Sequence, residues 1–185
     1  MTGHSHVRRG RGFTMVELIV VMVLIGILGA VGVSRFFDRT GFDADAFTEQ
    51  TRAMLRYAQK VAIAQHRAVF VRLDGKAVSL CFQNQAPCPD ELQVRAPSGA
   101  NSGSATTRAN CGSASWYCEA SPPGIDYSAS PLSVYLPDPW FSFDALGRPY
   151  GPTGTVAQFP GLRITIHGDA LVRLVEVAPE TGYVY

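Results

Sequence analysis

Residues 13 to 33, FTMVELIVVMVLIGILGAVGV, are apolar at almost every position and carry a single charge, Glu17. At about 1.5 Å per residue the stretch is long enough, as a helix, to cross a bilayer core of roughly 30 Å. The twelve residues before it hold Arg8, Arg9 and Arg11 beside His4 and His6, and no acidic side chain. Such a flank keeps residues 1–12 on the cytoplasmic side of a membrane and sends the chain beyond Val33 across it. The first reading is therefore a basic leader at 1–12 and a transmembrane helix at 13–33, amino terminus inside.

Three kinds of segment share that outline. A secretory signal peptide has a shorter apolar core and a small-residue cleavage site, a role LGAVG can be made to fill, and a signal anchor stays uncleaved. Neither accounts for Glu17, a carboxylate whose burial among lipid tails costs a few kcal/mol. Cleavage between Gly12 and Phe13 would create a terminal ammonium on Phe13, four residues ahead of Glu17. That is one helical turn away, or within reach from a neighbouring subunit, and it would set the register between adjacent helices.

RGFTMVEL, with Gly12, Phe13, Thr14 and Glu17 at the head of an apolar helix, resembles the type III signal sequence of type IV prepilins and type II secretion pseudopilins. The resemblance implies cleavage after Gly12 by a membrane prepilin peptidase and N-methylation of Phe13 by the same enzyme. It also implies that Glu17 docks onto the preceding subunit. The partners it implies are other pilins or pseudopilins, the prepilin peptidase, an inner-membrane assembly platform and membrane lipid.

Past the span, Gly41 among polar residues suggests a kink, with Asp43 or Asp45 as the cap of a second helical stretch. Phe47, Met54, Leu55, Ala58, Val61 and Ala62 recur at helical spacing between Ala44 and Gln65, leaving Glu49, Arg52, Arg56 and Lys60 on a solvated face. Residues 34–65 are thus expected to continue the helix amphipathically, giving a rod of about 80 Å from Phe13 to Gln65. Period two then takes over in AVFVRL and KAVSLCF around Asp74-Gly75, a hairpin.

Residues 83–131 are rich in Pro, Gly, Ser, Asn and Ala without sustained period and read as one long irregular region. Cys81, Cys88, Cys111 and Cys118 fall in two pairs of equal spacing with no metal pattern, which behind an export signal reads as disulfides. Local pairing is the expected one of the three connectivities that four cysteines allow, and sequence leaves all three open. Short strands are expected at Leu132–Leu136 and Trp140–Phe143. LRITIH and ALVRLVEVA around Gly168-Asp169, and a Thr181-Gly182 turn into the closing YVY, form a carboxy-terminal meander.

The class is α+β, with a long amino-terminal helix laid on an antiparallel sheet and a β-rich periplasmic domain over 66–185. TRAMLRYAQKVAIAQHRAVFVRL, followed by FDALGRP and a closing ETG, resembles the minor pseudopilins of the FimT and GspH group. That resemblance implies the pilin fold and a structural subunit of a type II secretion pseudopilus or of a type IV or mannose-sensitive-haemagglutinin-type pilus.

No catalytic constellation emerges. His66 and His167 sit beside no second ligand at metal spacing, no GxSxG elbow occurs, and GRPYGPTG lacks the lysine of a phosphate loop, so neither metal, cofactor nor enzymatic activity is expected. Some FimT-like members act as DNA receptors, which makes a pilus-displayed DNA-binding subunit the alternative. Against it, three of the sixteen basic residues lie in the leader, leaving thirteen against fifteen acidic ones, and the chain closes on Tyr183, Val184 and Tyr185 rather than on a basic tail. Trp116, Tyr117, Tyr127 and Trp140 read as packing residues.

Overall fold

A computed structural model describes residues 13–36, 39–131, 139–151, 159–168 and 170–185, and, within the helices, not the side chains of 30–36 or 39. The leader with Gly12, the strand expected at 132–136 and Asp169 lie outside the described residues. The chain divides into one unit that ends at Arg39 and a second over Thr40–Tyr185. The first contains helix α1, Met15–Phe36. The expected rod crosses residues 37 and 38, which are also outside the described residues.

The second unit is built on helix α2, Arg39–Ala64. Because α2 is already helical at Arg39, Gly41 lies within it and Asp43 and Asp45 are not caps. Asp45 instead pairs with Arg173. One face of α2, through Ala44, Phe47, Met54, Leu55, Ala58 and Ala62, is almost wholly buried, as its helical periodicity dictates. The helix ends in a Schellman motif. His66 N–H donates to the Ile63 carbonyl and Arg67 N–H to the Ala62 carbonyl, with His66 at φ +50° in the position glycine usually takes.

Strands β1 (Val69–Leu73) and β2 (Ala77–Cys81) form the hairpin at Asp74-Gly75. The Asp74 carboxylate accepts from the Lys76 and Ala77 N–H groups, and Gly75 supplies φ +84°. With β3 (Cys118–Ala120), β5 (Trp140–Phe143) and β6 (Pro149–Tyr150) they make an antiparallel sheet of order β3-β2-β1-β5-β6. A second antiparallel sheet runs β4 (Asp126–Ser130), β7 (Leu162–His167), β8 (Val172–Val177). The carboxy terminus returns along β8, with Val177 opposite Val184 and Glu176 and Tyr185 exchanging both backbone hydrogen bonds at 2.9 and 3.0 Å. Tyr127 of β4 ties the two sheets together, its buried hydroxyl donating to the Ala77 carbonyl at 2.6 Å and accepting from Gly75 N–H at 3.1 Å.

One hydrophobic core joins α2 to both sheets. Val69, Val71, Leu80, Phe141, Phe143, Ile164, Ile166 and Val175 are fully buried against the apolar face of the helix. Truncating any of its phenylalanines to alanine would remove about 3–5 kcal/mol.

The region from 83 to 131 is more ordered than its composition suggests. It contains a 3-10 turn at Asp90–Leu92, helix α3 (Ala105–Cys111), β3 and β4. Ser104 caps α3 through Thr107 N–H at 3.1 Å. Disulfides join Cys81 to Cys88 and Cys111 to Cys118, the second tying the end of α3 to the start of β3. A polar nucleus completes the region, since the buried Glu119 carboxylate accepts from Ser102 N–H at 2.7 Å, Ser102 Oγ at 2.5 Å and Thr107 Oγ1 at 3.1 Å.

Candidate functional site

At the head of α1, Thr14 Oγ1 accepts the Glu17 N–H at 3.3 Å while the Thr14 carbonyl accepts Leu18 N–H at 3.2 Å. Thr14 is thus the N-cap and Glu17 the third helical residue, the T-x-x-E pattern of a capping box, with a carboxylate in the first turn where the helix dipole favours it. Sequence reading singled out Glu17 and missed the cap, although its signature was present. The Glu17 carboxylate itself has no partner among the described residues.

From Phe13 to Leu28 the large apolar side chains point outward all around the helix, from Met15 at 85 % exposed to Val21 at 43 %. A helix apolar on every side is stable only when something else covers it. Among the described residues no helix is long and apolar enough to cross a membrane. The described side chains of α1 end at Gly29, short of the expected limit at Val33.

Residues 7–33 match the family model of the prokaryotic N-terminal methylation motif. The chain carries a prepilin-type amino terminus. This prepilin-like chain is 41 % identical over 61 residues to the type IV narrow pilus major component PilA5 of Thermus thermophilus, covering 33 % of the chain and 53 % of that relative. It is 31 % identical over 80 residues to type II secretion system protein H of Pseudomonas aeruginosa, covering 43 % of the chain and 46 % of that relative. It thus spans about half the length of the curated relatives it matches. Its fold is that of the crystallised type IV minor pilin FimU of Pseudomonas aeruginosa, with a TM-score of 0.51, 13 % identity, and coverage of 80 % of this chain and 90 % of that one. The α+β pilin architecture is therefore established, with two antiparallel sheets where sequence reading expected one.

In the second unit of the prepilin-like chain, the three segments singled out for their resemblance to pseudopilins meet. Gln59 of α2 donates through Nε2 to the Gly147 carbonyl of FDALGRP and to the Thr181 carbonyl of ETG, each at 2.9 Å. Gly182, at φ +67°, packs so closely that a Cβ there would lie 2.7 Å from the Gly147 carbonyl oxygen. One turn earlier Arg56 donates to the Val184 carbonyl, and two turns earlier Arg52 donates to the Leu174 carbonyl. Arg56 is exposed, as the periodicity suggested, and Arg52 is half-buried. They hold backbone carbonyls of β8 and of the closing segment, which no local pattern announces.

Arg163 pairs with Glu176 and Arg173 with Asp45, so the strand arginines are engaged within the fold. The Arg163 hydrogen bond leads in holding the Glu176 carboxyl below its ordinary range. Among the described residues no three His, Cys, Asp or Glu side chains cluster to hold a metal.

Proposed function

We propose that this chain is a minor pilin or pseudopilin, a structural subunit that assembles through its amino-terminal helix into a type IV pilus or a type II secretion pseudopilus. The observation that carries the reading is α1 itself, apolar and exposed all around and capped by Thr14 with Glu17 in its first turn. Residues 13–33 hold the subunit in the inner membrane, amino terminus cytoplasmic, with the unit beginning near Thr40 on the periplasmic side. The prepilin peptidase removes residues 1–12 by cutting after Gly12 and methylates Phe13. On extraction by the assembly platform, burial against other pilin helices replaces lipid, and Glu17 takes the Phe13 ammonium of a neighbouring subunit as its counter-charge. The disulfides Cys81–Cys88 and Cys111–Cys118 suit the oxidising periplasm.

Incorporation of Glu17→Ala into filaments tests the reading. The variant is expected to be processed normally at Gly12 and to be lost from filaments, while Glu17→Asp retains part of the incorporation. Full incorporation of Glu17→Ala would remove the role given to the carboxylate.

A further inference from the structure

The sheet face turned away from α2 carries a cleft of about 280 Å³ that assembly through α1 leaves unexplained. Its floor is Ser142 of β5. In register, Ser142 lies between Phe70 of β1 and Tyr150 of β6, and the period of two puts Trp140 and Asp144 on the same face. Phe141 and Phe143 point the other way into the core. The row therefore consists of a small hydroxyl walled by three aromatic rings, with Phe70 and Trp140 5.2 Å apart at an interplanar angle of 56°.

Two groups here are unused. Ser142 is only 6 % exposed and lines the cleft, yet its hydroxyl has no hydrogen-bond partner among the described residues. The indole N–H of Trp140 has none either, whereas that of Trp116 donates to the Leu80 carbonyl at 2.7 Å. The sealed side-chain atoms without a partner among the described residues are Thr51 Oγ1 and Arg52 Nε, so the Ser142 oxygen is open to the cleft.

The charges at the rim are already matched. Asp144 accepts Arg148 N–H at 2.7 Å, Leu146 N–H at 2.9 Å, Arg148 Nε at 2.9 Å and the Tyr150 hydroxyl at 3.1 Å, which fills both oxygens. The cleft thus offers aromatic faces, one hydroxyl and one N–H donor beside a cancelled ion pair. That inventory suits a neutral ring with an apolar C–H face and hydroxyls on its edge. Arg72, opposite Trp140 in register and so on this face, donates to Asn84 Oδ1 at 3.2 Å, and Arg67 is stacked 3.5 Å over the Phe82 ring, so both of these cations are engaged within the fold.

We propose that this cleft binds a neutral hexopyranose unit of a polysaccharide, stacked on Trp140 and Phe70 and hydrogen-bonded to Ser142 Oγ and Trp140 Nε1. The test uses the full chain, 15N-labelled at its tryptophans, in a non-glycosidic detergent, titrated with neutral hexasaccharides of glucose, galactose, mannose and N-acetylglucosamine. At least one sugar should shift the Trp140 indole resonance saturably and leave that of Trp116 in place. Ser142→Val, which fills the floor, should weaken binding read at the Trp140 resonance about tenfold, with salt having no effect. The proposal fails if no sugar moves the Trp140 resonance at millimolar concentration or if Ser142→Val binds as well as the parent. It also fails if oligo-dT displaces the sugar and itself binds in a salt-sensitive manner.

Discussion

The Arg56 guanidinium holds the Val184 carbonyl by two hydrogen bonds, 3.1 Å from Nε and 2.9 Å from Nη2. Through this contact the helix fixes the last residues of the chain, which in turn extend β8 by backbone pairing at Glu176 and Tyr185. Val184 is 1 % exposed, so the side chain inserted in the core and the carbonyl held by the arginine act on one residue.

Arg56→Ala should therefore cost about 1.5–3 kcal/mol, the range for hydrogen bonds to a charged group. The urea midpoint should fall, and hydrogen exchange at Tyr185 N–H should accelerate more than at Ile164 in the central strand. Equal acceleration at both positions would mean that the arginine is not a local anchor.

His66 occupies a left-handed position at φ +50°. His66→Gly should raise stability by about 0.5–1 kcal/mol, because the penalty of a Cβ there exceeds the added entropy of glycine in the unfolded chain. Thermal unfolding measures it, and a lowered midpoint would contradict the assignment.

Gly182 should tolerate no side chain. Gly182→Ala combines a strained φ with a Cβ 2.7 Å from the Gly147 oxygen and 2.9 Å from Gln59 Nε2, and is expected to cost about 2–4 kcal/mol. In the double variant with Gln59→Ala the two effects should be less than additive, since both act on one junction.

Asp144 predicts a pH dependence. Burial pushes its carboxyl up, but the Arg148 N–H and guanidinium, the Leu146 N–H and the Tyr150 hydroxyl outweigh that and hold it below the ordinary 3.8. A depressed folded value means that the carboxylate stabilises the β5–β6 turn above pH 3.8, and that this contribution disappears as pH falls through the folded value. The difference in denaturation midpoint between the parent and Asp144→Asn should accordingly be constant near neutrality and shrink below that pH.

The Cys111–Cys118 bridge closes a short loop, and replacing both residues with serine should cost about 2–3 kcal/mol. Susceptibility to proteolysis should rise first between Ser98 and Ser115, where α3 and the polar nucleus around Glu119 depend on the staple.

Much of this molecule could be read from its residues, and the parts that could not share a cause. The apolar run, the amphipathic α2, the hairpin at Asp74-Gly75 and the β7–β8 pair are local periodicities, and each appears where its pattern lies. β3 is only three residues long, too short for any period, and β4 buries Tyr127 and Ala129 against small exposed residues, so its alternation carries little hydrophobic contrast. The hydrogen bonds of Arg52 and Arg56 escaped because their acceptors, Leu174 and Val184, lie more than a hundred residues on. The aromatic row escaped for the same reason, as Phe70, Ser142 and Tyr150 become neighbours only when β1, β5 and β6 pair.

The central claim is tested most directly by intact-mass and amino-terminal fragmentation analysis of the protein extracted from membranes. A mature chain beginning at Phe13 and carrying a methyl group on its terminal nitrogen is the result expected. A chain that retains residues 1–12, or that begins beyond the apolar run, would contradict it.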